Sequence, residues 1–178
     1  MTIRIRSARP TDIPAIASIY RPAVISGTAS FEIEAPDETE MRRRYDSIVS
    51  AGFPYLVAET DDRVIGYAYA NAYRPRPAYR FTLEDSIYIA PDAQGQGVGR
   101  RLLDELITIA SNTGYRQMIA IIGDSAQQPS IALHRTAGFH FSGTLHSVGY
   151  KHGRWLDGVI MQRALGSGDA TPPIEINR

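Results

Sequence analysis

The spacing of apolar residues changes several times along the first half of the chain, and each change marks a new element. Residues 2–7 alternate apolar and charged positions, which predicts a strand with one buried face. Residues 13–20 then repeat apolar side chains at helical spacing, and residues Arg9–Asp12 have the composition of a helix N-terminus. Residues 21–35 have the small polar composition of a loop, and a second helix is predicted from Pro36 or Asp37 to about Ser50.

Three strands are predicted in the middle of the chain. Residues 55–59 and 64–70 form two apolar runs around a turn at Asp61-Asp62, which is typical of a hairpin. Residues 71–80 contain two prolines and cannot be a central strand, because proline removes a backbone donor. Residues 81–89 return to an alternating strand pattern.

The second half of the chain continues with alternating helices and strands. An amphipathic helix starts near residue 98, a strand follows at 117–122, and a short helix covers 129–137. Phe139-His140-Phe141 opens a further strand, and residues 145–150 and 155–165 form a final strand pair. This order predicts an α+β fold around a mixed sheet, with one domain over residues 1–165 and a loosely held tail over 166–178.

Composition narrows the classes of partner. The 19 basic and 19 acidic residues balance, which disfavours a nucleic-acid protein that depends on a positive field. The absence of cysteine excludes disulfides, cysteine nucleophiles and cysteine metal sites. The four histidines, at 134, 140, 146 and 152, lie six residues apart and not the four that a helical metal pair requires. No long apolar run or signal-like start is visible. We therefore expect a cytoplasmic protein that binds small molecules, without a membrane or nucleic-acid partner and without a metal.

The most informative stretch is the glycine-rich turn Gln94–Gly99 between a strand and a helix. Glycines at 95, 97 and 99 let the backbone approach a ligand, and the N–H groups at a helix start attract anions. Arg100 and Arg101 add positive charge. The turn predicts a pyrophosphate site, although a simple connection between strand and helix has the same composition.

The spacing in this turn separates it from two common nucleotide motifs. The glycines follow G-x-G-x-G, whereas the dinucleotide fingerprint requires G-x-G-x-x-G. No Gly-Lys pair followed by Ser or Thr occurs, so an ATP-binding P-loop is absent.

Residues 94–99 match the Q/R-x-x-G-x-G/A signature of the GCN5-related N-acetyltransferase (GNAT) superfamily, and the element order over residues 2–165 is similar to that family's. The chain particularly resembles the phosphinothricin and methionine sulfoximine N-acetyltransferase group. This resemblance is carried by residues 79–89, 94–99, 130–139 and 149–157.

The resemblance implies a fold and an activity. The fold would be a mixed, mostly antiparallel sheet of about seven strands flanked by about four helices. The activity would be direct transfer of acetyl from acetyl-CoA to the α-amine of a small amino-acid analogue in a ternary complex, by a homodimer. Acceptors of another kind, such as an aminoglycoside, a polyamine or a protein N-terminus, are the alternative, as is a non-catalytic acyl-CoA-binding module.

Two residues are candidates for acid–base catalysis. An ammonium must lose a proton before it attacks a thioester, and Glu84 corresponds to the proposed base of the resembled group. The alternative is an exposed strand glutamate in an ion pair. His134 corresponds to the acid that would protonate the leaving thiolate, and its alternative is an ordinary core histidine. The presence of both argues against a non-catalytic module.

The resemblance also implies the cofactor contacts. Backbone groups near Ile87 and Ile89 would hold the oxyanion. Gln127 stands where the group carries an asparagine that binds the pantetheine arm. The expected cofactor residues are Ile87, Tyr88, Ile89, Gln94, Gly95, Gln96, Gly97, Val98, Gly99, Arg100, Gln127 and Ser130.

The acceptor site is expected around the loop at residues 71–80, whose alternative is an exposed linker. Its arginines offer planar forks for a carboxylate, with Arg74 preferred by position. Aromatic side chains that could wall the pocket are Phe31, Tyr69 and Tyr79. The expected substrate residues are Phe31, Arg74, Pro75, Arg76, Tyr79, Arg80, Glu84, Asp85 and Ser86.

Overall fold

The computed structural model describes residues 2–174. Within them the chain forms seven strands and four α-helices, in the order expected from the sequence. The elements are β1 (Arg4–Ser7), α1 (Ile13–Ile25), α2 (Glu38–Ser50), β2 (Tyr55–Thr60), β3 (Arg63–Ala72), β4 (Thr82–Ile89), α3 (Val98–Asn112), β5 (Gln117–Gly123), α4 (Gln128–Thr136), β6 (His140–Lys151) and β7 (Arg154–Ala164).

The strands form one mixed sheet in the order β1-β2-β3-β4-β5-β7-β6. Neighbouring strands are antiparallel except β4 and β5, which run parallel. The β4–β5 pairing ends at Asp85 and Ala120, whereas β4 stays paired with β3 up to Ile89 and β5 with β7 up to Gly123. The two central strands therefore separate beyond Asp85 and open a gap in the sheet.

Helices cover both faces of the sheet. On one face, Tyr20 of α1 meets the Tyr88 ring of β4 edge-on at 4.8 Å. On the other face, Leu102 of α3 reaches the space beside Gly66 of β3, and His134 of α4 contacts β4. Residues of β4 alternate between these faces, so consecutive side chains at the gap face different helices.

The core lies between α3 and the central strands of the sheet. The apolar stripe of α3 and the central strands supply fully buried side chains: Leu83, Leu102, Leu103, Leu106 and Met118. Burying each such side chain stabilises the fold by about 1.5–3 kcal/mol. This packing fixes the start of α3 against the end of β4. Within residues 2–174, no helix combines the length and apolar character needed to cross a bilayer.

One segment differs from the sequence prediction. The first helix continues through Pro22 to Ile25, although residues 21–35 are predicted to be a loop. The Pro22 carbonyl accepts the Ser26 N–H at 3.0 Å, so the last turn is retained. In the predicted tail, Ser167 Oγ and Pro172 O accept hydrogen bonds from Arg116. The remainder of the predicted tail, residues 175–178, lies outside the described residues.

Candidate active site

The gap between β4 and β5 contains a cavity of about 60 Å³. It is bordered by residues of β4, of β5 and its following loop, and of α4, among them Asp85, Ile87, Gly123, Gln127, Ser130 and His134. The Ala90 N–H donates to Ile65 O of β3. Because backbone direction alternates along a strand, the N–H groups of Ile87 and Ile89 point the opposite way, into the gap.

The glycine turn lies at the end of β4 and leads directly into α3. Gly95 and Gly97 have φ of +73° and +80°, a left-handed conformation that glycine adopts without steric cost. A Cβ at either position would meet no atom within 4 Å, so open space lies over the turn. Gly99 instead permits a close approach, since its Cβ would lie 3.2 Å from Leu133 of α4. The unsatisfied N–H groups of the first turn of α3, beginning at Val98, lie next to this open space and suit an anion.

The polar side chains of this turn support the backbone. Gln96 Nε2 donates to Asp92 O at 2.9 Å, and Gln94 Nε2 donates to Ile89 O at 3.4 Å. Arg100, predicted among the cofactor residues, has hydrogen-bond partners within the protein. Its guanidinium binds the Asp104 carboxylate and donates to Thr136 O, which joins α3 to the end of α4.

Tyr88, predicted among the cofactor residues, borders the cavity at the gap. Its ring points to the face covered by α1 and stacks on Tyr67 at 5.3 Å between centroids. The reason is the alternation of β4, which turns Ile87 and Ile89 toward the α3 face and Tyr88 away from it.

Glu84 lies on the α1 side of β4, next to the point where the strands separate. Its register partners are Asn71 on β3 and Ile119 on β5. Burial raises the pKa of Glu84, the neighbouring Asp85 adds to this increase, and the positive charge of Arg74 reduces it. A carboxyl with a raised pKa in a partly buried position can accept a proton near neutral pH.

Asp85 and His134 form a buried pair on the opposite face. The Nε2 of His134 lies 3.0 Å from Asp85 Oδ2, and the two side chains are 5% and 1% exposed. Asp85 is predicted among the substrate residues, and alternation along β4 turns its side chain toward α4, on the face opposite Glu84. Its other oxygen, Oδ1, is buried without a hydrogen-bond partner in residues 2–174.

Both ring nitrogens of His134 face hydrogen-bond acceptors. Nδ1 lies 2.7 Å from Ser130 O, so it carries a proton, and Nε2 faces the Asp85 carboxylate. A second proton must lie between Nε2 and Oδ2, on one atom or the other. Burial favours the neutral imidazole, but the hydrogen bond and charge of Asp85 outweigh it, and the pKa of His134 is raised. The pair therefore retains a transferable proton beside the gap.

Gln127 and Ser130, both predicted among the cofactor residues, border the cavity. The Gln127 side chain has a hydrogen-bond partner, since its Nε2 donates to Thr28 Oγ1 at 3.0 Å. Ser130 contributes its carbonyl to His134. Gln127 thus connects the cavity to the loop between α1 and α2.

The loop between α1 and α2 also contains Phe31, whose ring lies next to Gly149 of β6 and Gly123 of β5. A Cβ at Gly149 of β6 would lie 2.7 Å from the Phe31 ring, and one at Gly123 of β5 would lie 3.0 Å from it. These glycines therefore make room for the ring. The buried Lys151 fixes the same loop, because its Nζ donates to Ser30 O at 2.7 Å.

The arginines of the loop after β3 occupy different environments. Arg74 covers the Tyr73 ring at 5.1 Å, and its charge acts on Glu84. Arg80 covers the Phe81 ring at 4.5 Å and donates to Pro77 O. Pro75, Arg76 and Tyr79 are exposed in the same loop. Among the arginines of this loop, Arg74 is thus the one whose charge acts on Glu84.

A tyrosine cluster on the α1 face was not predicted as a unit. Tyr55, Tyr67 and Tyr69 stack on one another, with centroids 5.1–6.4 Å apart. The Tyr69 hydroxyl bonds to Ser86, a predicted substrate residue. The sequence signal that could have indicated this cluster is the alternation of Tyr67 and Tyr69 along β3, which puts both rings on the same face as Glu84. Their partners from β2 and α1 depend on strand pairing that one sequence does not reveal.

The comparisons with known proteins agree with this geometry. A family model described as an acetyltransferase (GNAT) domain matches residues 5–160. A phosphinothricin N-acetyltransferase from Alcaligenes faecalis is 57% identical over 169 residues, covering 95% of this chain and 86% of that protein. An L-methionine sulfoximine/L-methionine sulfone acetyltransferase from Pseudomonas paraeruginosa is 38% identical, covering 97% of this chain and 100% of that protein.

A solved structure shares the fold closely. The phosphinothricin acetyltransferase from Sinorhizobium meliloti, in complex with AcCoA, superposes with a TM-score of 0.95 at 49% identity. The match covers 98% of this chain and 95% of that one.

Proposed function

Because the chain belongs to the GNAT acetyltransferase family, we propose that it transfers acetyl from acetyl-CoA to the α-amine of a small amino-acid analogue. The acceptor is of the phosphinothricin or methionine sulfoximine type, and transfer is direct within a ternary complex. The observation that carries the proposal is the β4–β5 gap, with a partly buried glutamate on one face and a proton-bearing pair on the other. Residues 1–165 are proposed as the catalytic domain.

Acetyl-CoA fits the groups around the gap. The open space over Gly95 and Gly97, at the start of α3, suits its pyrophosphate. The backbone N–H groups of Ile87 and Ile89, which point into the gap, would hold its acyl end, and Gln127 and Ser130 border the same cavity. When bound, acetyl-CoA supplies an activated acetyl thioester.

Glu84 is the proposed base. It removes a proton from the acceptor ammonium at a carboxylate oxygen, and its raised pKa matches that task better than an ordinary carboxyl would. The Ile87 and Ile89 N–H groups stabilise negative charge that develops on the acyl oxygen.

The Asp85–His134 pair is the proposed acid. Both nitrogens of His134 are engaged, so the pair acts as a unit and releases its shared proton into the cavity. The unpartnered Oδ1 of Asp85 is the second oxygen of that unit. This extends the assignment of His134 alone, which the sequence suggested.

A thiol-release assay tests the proposed activity. Purified protein with acetyl-CoA should release coenzyme A thiol when L-phosphinothricin, L-methionine sulfoximine or L-methionine sulfone is added. Aminoglycosides, polyamines and peptide N-termini serve as the competing acceptors. Turnover with one of those and none with the amino-acid analogues would reassign the acceptor, whereas acetyl-CoA binding without any turnover would indicate a non-catalytic module.

Replacing Arg74 by leucine is expected to raise the acceptor KM by about 10–100-fold, since a hydrogen bond to a charged group contributes about 1.5–3 kcal/mol. The physical reason is loss of the guanidinium that would pair with the acceptor carboxylate beside Glu84. Steady-state kinetics measure it, with Arg76→Leu in the same loop as the matched control. An equal rise in both variants would point to general loop damage, and an unchanged KM in Arg74→Leu would remove this assignment.

We also propose a homodimer through the β6–β7 face, in a cytoplasmic enzyme supplied with cytoplasmic acetyl-CoA. This face exposes large apolar side chains of 49–63% relative exposure: Phe141, Leu145, Val148, Tyr150 and Trp155. The edge position of β6 leaves backbone groups available for a second copy. A cluster of this kind on a protein surface commonly marks an interface.

Replacing Trp155 by glutamate is expected to convert the dimer to a monomer, because a charge in an apolar interface is desolvated without a partner. Light scattering on a size-exclusion column measures the mass against 19.6 kDa for one chain. Thr108→Glu, on the exposed side of α3, is the matched control. A wild-type protein that elutes as a monomer would contradict the dimer directly.

A further inference from the structure

The chain contains a single lysine among its 19 basic residues, and that lysine is buried. Lys151 ends β6, is 5% exposed, and donates from Nζ to Ser30 O at 2.7 Å. We propose that Lys151 is a positioning residue for acceptor binding, which holds the loop segment 27–32 against the gap so that the acceptor meets a formed site. This inference rests on the proposed function and adds to it a residue that touches neither acetyl-CoA nor the acceptor.

The loop segment lies on the same side of the sheet as the proposed base. The Ser30 and Tyr20 hydroxyls are hydrogen-bonded at 2.7 Å, and the Tyr20 ring meets Tyr88 edge-on. Because Tyr88 and Glu84 are four residues apart on β4, their side chains share a face. Ala29 of the segment borders the cavity at the gap. An acceptor whose amine is at Glu84 therefore lies next to this segment.

The end of β6 contacts the loop segment at three points. Gly149 and Lys151 are alternate residues of the strand and face the same side. A Cβ at Gly149 would lie 2.7 Å from the Phe31 ring, so the glycine makes room for that ring. His152 Nε2 lies 3.2 Å from Gly27 O in an exposed contact. The hydrogen bond from Lys151 is thus the buried link between the hairpin and the segment.

A bulge fixes the path of β6 just before these contacts. Residues 146–148 stand opposite the single residue Asp157 of β7. The Asp157 carboxylate accepts the Ser147 N–H at 3.0 Å and the Ser125 hydroxyl at 3.0 Å. A bulge of this kind bends its strand and re-aims the side chains beside it. The end of β6 thus reaches the loop segment along a path that hydrogen bonds hold in place.

A lysine suits a contact with one carbonyl. Its amine is a compact donor on a flexible stem, whereas the arginine fork matches two acceptor atoms. Burial lowers the pKa of Lys151, and the charge of Glu32 opposes this effect. Both the ammonium and the neutral amine carry N–H groups that can donate to Ser30 O. The contact therefore persists in either protonation state.

The two ends of the loop segment have partners of their own. Thr28 Oγ1 accepts from Gln127 Nε2 at 3.0 Å, and the Glu32 carboxylate binds Arg44 at 2.6 Å. Ser30 lies between them and has its carbonyl held from β6. A variant without the lysine therefore frees the centre of the segment while both ends stay attached.

The first test is Lys151→Met, which keeps an unbranched side chain and removes the donor. We expect the KM for L-phosphinothricin to rise about tenfold, as for one lost hydrogen bond, because only molecules with a seated segment bind the acceptor. The kcat and the dissociation constant for acetyl-CoA should each change less than about twofold. Steady-state thiol release and calorimetry measure these quantities, with Ser142→Ala on the exposed part of β6 as the matched control.

Hydrogen exchange follows the loop segment directly in protein without ligands. In Lys151→Met, the peptide that contains residues 27–32 should exchange faster than in wild type, because its centre opens more often. Peptides from α3 should exchange at the wild-type rate. Unchanged exchange over residues 27–32 would overturn the inference.

Chemical rescue separates the donor from the packing of the side chain. The chain has no cysteine, so Lys151→Cys provides a single thiol that can be alkylated in the unfolded chain before refolding. A 2-aminoethyl group rebuilds the length and amine of lysine, and a propyl group rebuilds the length alone. The KM of the aminoethyl form should return to within about twofold of refolded wild type, while the propyl form should match Lys151→Met.

Three kinetic results would overturn the inference: a fall in kcat with an unchanged KM, an equal rise in KM in Ser142→Ala, or equal KM values for the two alkylated forms. If Lys151→Met does not fold, the alkylated pair supplies the comparison. Failure of the propyl form to fold as well would make Lys151 a structural residue and overturn its positioning role.

The same measurements separate this inference from the proposed function. Turnover of L-phosphinothricin with a KM that is insensitive to Lys151→Met defeats only the positioning role. No turnover with any amino-acid acceptor defeats the proposed function. Calorimetric titration with L-phosphinothricin then decides the role of Lys151, since about tenfold weaker binding in the variant supports it and equal or absent binding overturns it.

Discussion

Replacing Glu84 by glutamine is expected to lower kcat by about 10²–10⁴-fold, the usual contribution of a positioned general base. Glutamine keeps the shape of the side chain but cannot accept a proton from the acceptor ammonium. The dissociation constant for acetyl-CoA should not change, because Glu84 faces α1 whereas the glycine turn and the α4 contacts belong to the other side of β4. Stopped-flow or steady-state thiol-release assays measure kcat, and calorimetry measures the dissociation constant for acetyl-CoA.

The pH dependence of kcat/KM also tests the role of Glu84 as the base. The carboxylate is the active species, so the acidic limb of kcat/KM should follow the pKa of Glu84 and lie above the range of an ordinary glutamate. Burial is the largest cause of that increase, and the charge of Arg74 limits it. Arg74→Leu should therefore move the acidic limb to still higher pH. A limb in the ordinary glutamate range would contradict the environment described for Glu84.

Stability separates a catalytic effect from unfolding. Because the folded-state pKa of Glu84 is raised, the folded protein binds more protons than the unfolded chain between the two pKa values, and wild-type stability falls as pH rises through that range. Glu84→Gln removes this buried charge. The variant should therefore melt no lower than wild type at pH 8, and unchanged turnover in such a folded variant would exclude Glu84 as the base.

The local patterns were sufficient to predict the element order and the turn at Gln94–Gly99. Each strand or helix repeats apolar residues over a length that fixes its type, and Gly95 and Gly97 adopt the left-handed conformation that suits such a turn. The small polar composition of residues 21–35 predicted a loop, but α1 continues through Pro22 to Ile25, although a proline usually ends a helix.

The side-chain partners could not be predicted in the same way. Alternation already put Glu84 and Asp85 on opposite faces, yet only the sheet order brings α4 over Asp85 and α1 over the tyrosines. The contact of Arg100 with Asp104, one helical turn later, and with Thr136 O of α4 was likewise not predicted. Long-range pairing decides these contacts, and a single sequence does not contain it.

Replacing Asp85 by asparagine is expected to affect both stability and turnover. Breaking a buried ion pair by removing one partner costs about 3–5 kcal/mol, which is about 6–20 °C in melting temperature for a chain of this size. His134 has a raised pKa in the folded protein, so its contribution to stability is present at low pH and is lost as pH rises through the folded-state pKa. The difference between wild type and variant should therefore be largest at acidic pH and smaller at alkaline pH.

Turnover should show the loss of the shared proton. Without the carboxylate, burial lowers the pKa of His134 and only the hydrogen bond to Ser130 O opposes it, so the pKa falls relative to wild type. Because the proton-bearing form is the acid, the alkaline limb of kcat should move to lower pH in Asp85→Asn, with a reduced kcat above it. His134→Gln removes the ionisable side chain, so kcat should fall and the alkaline limb due to His134 should be absent. Ser125→Ala, outside the pair, is the control for the adjacent loop. A stability loss with an unmoved alkaline limb would make Asp85 a purely structural partner of His134.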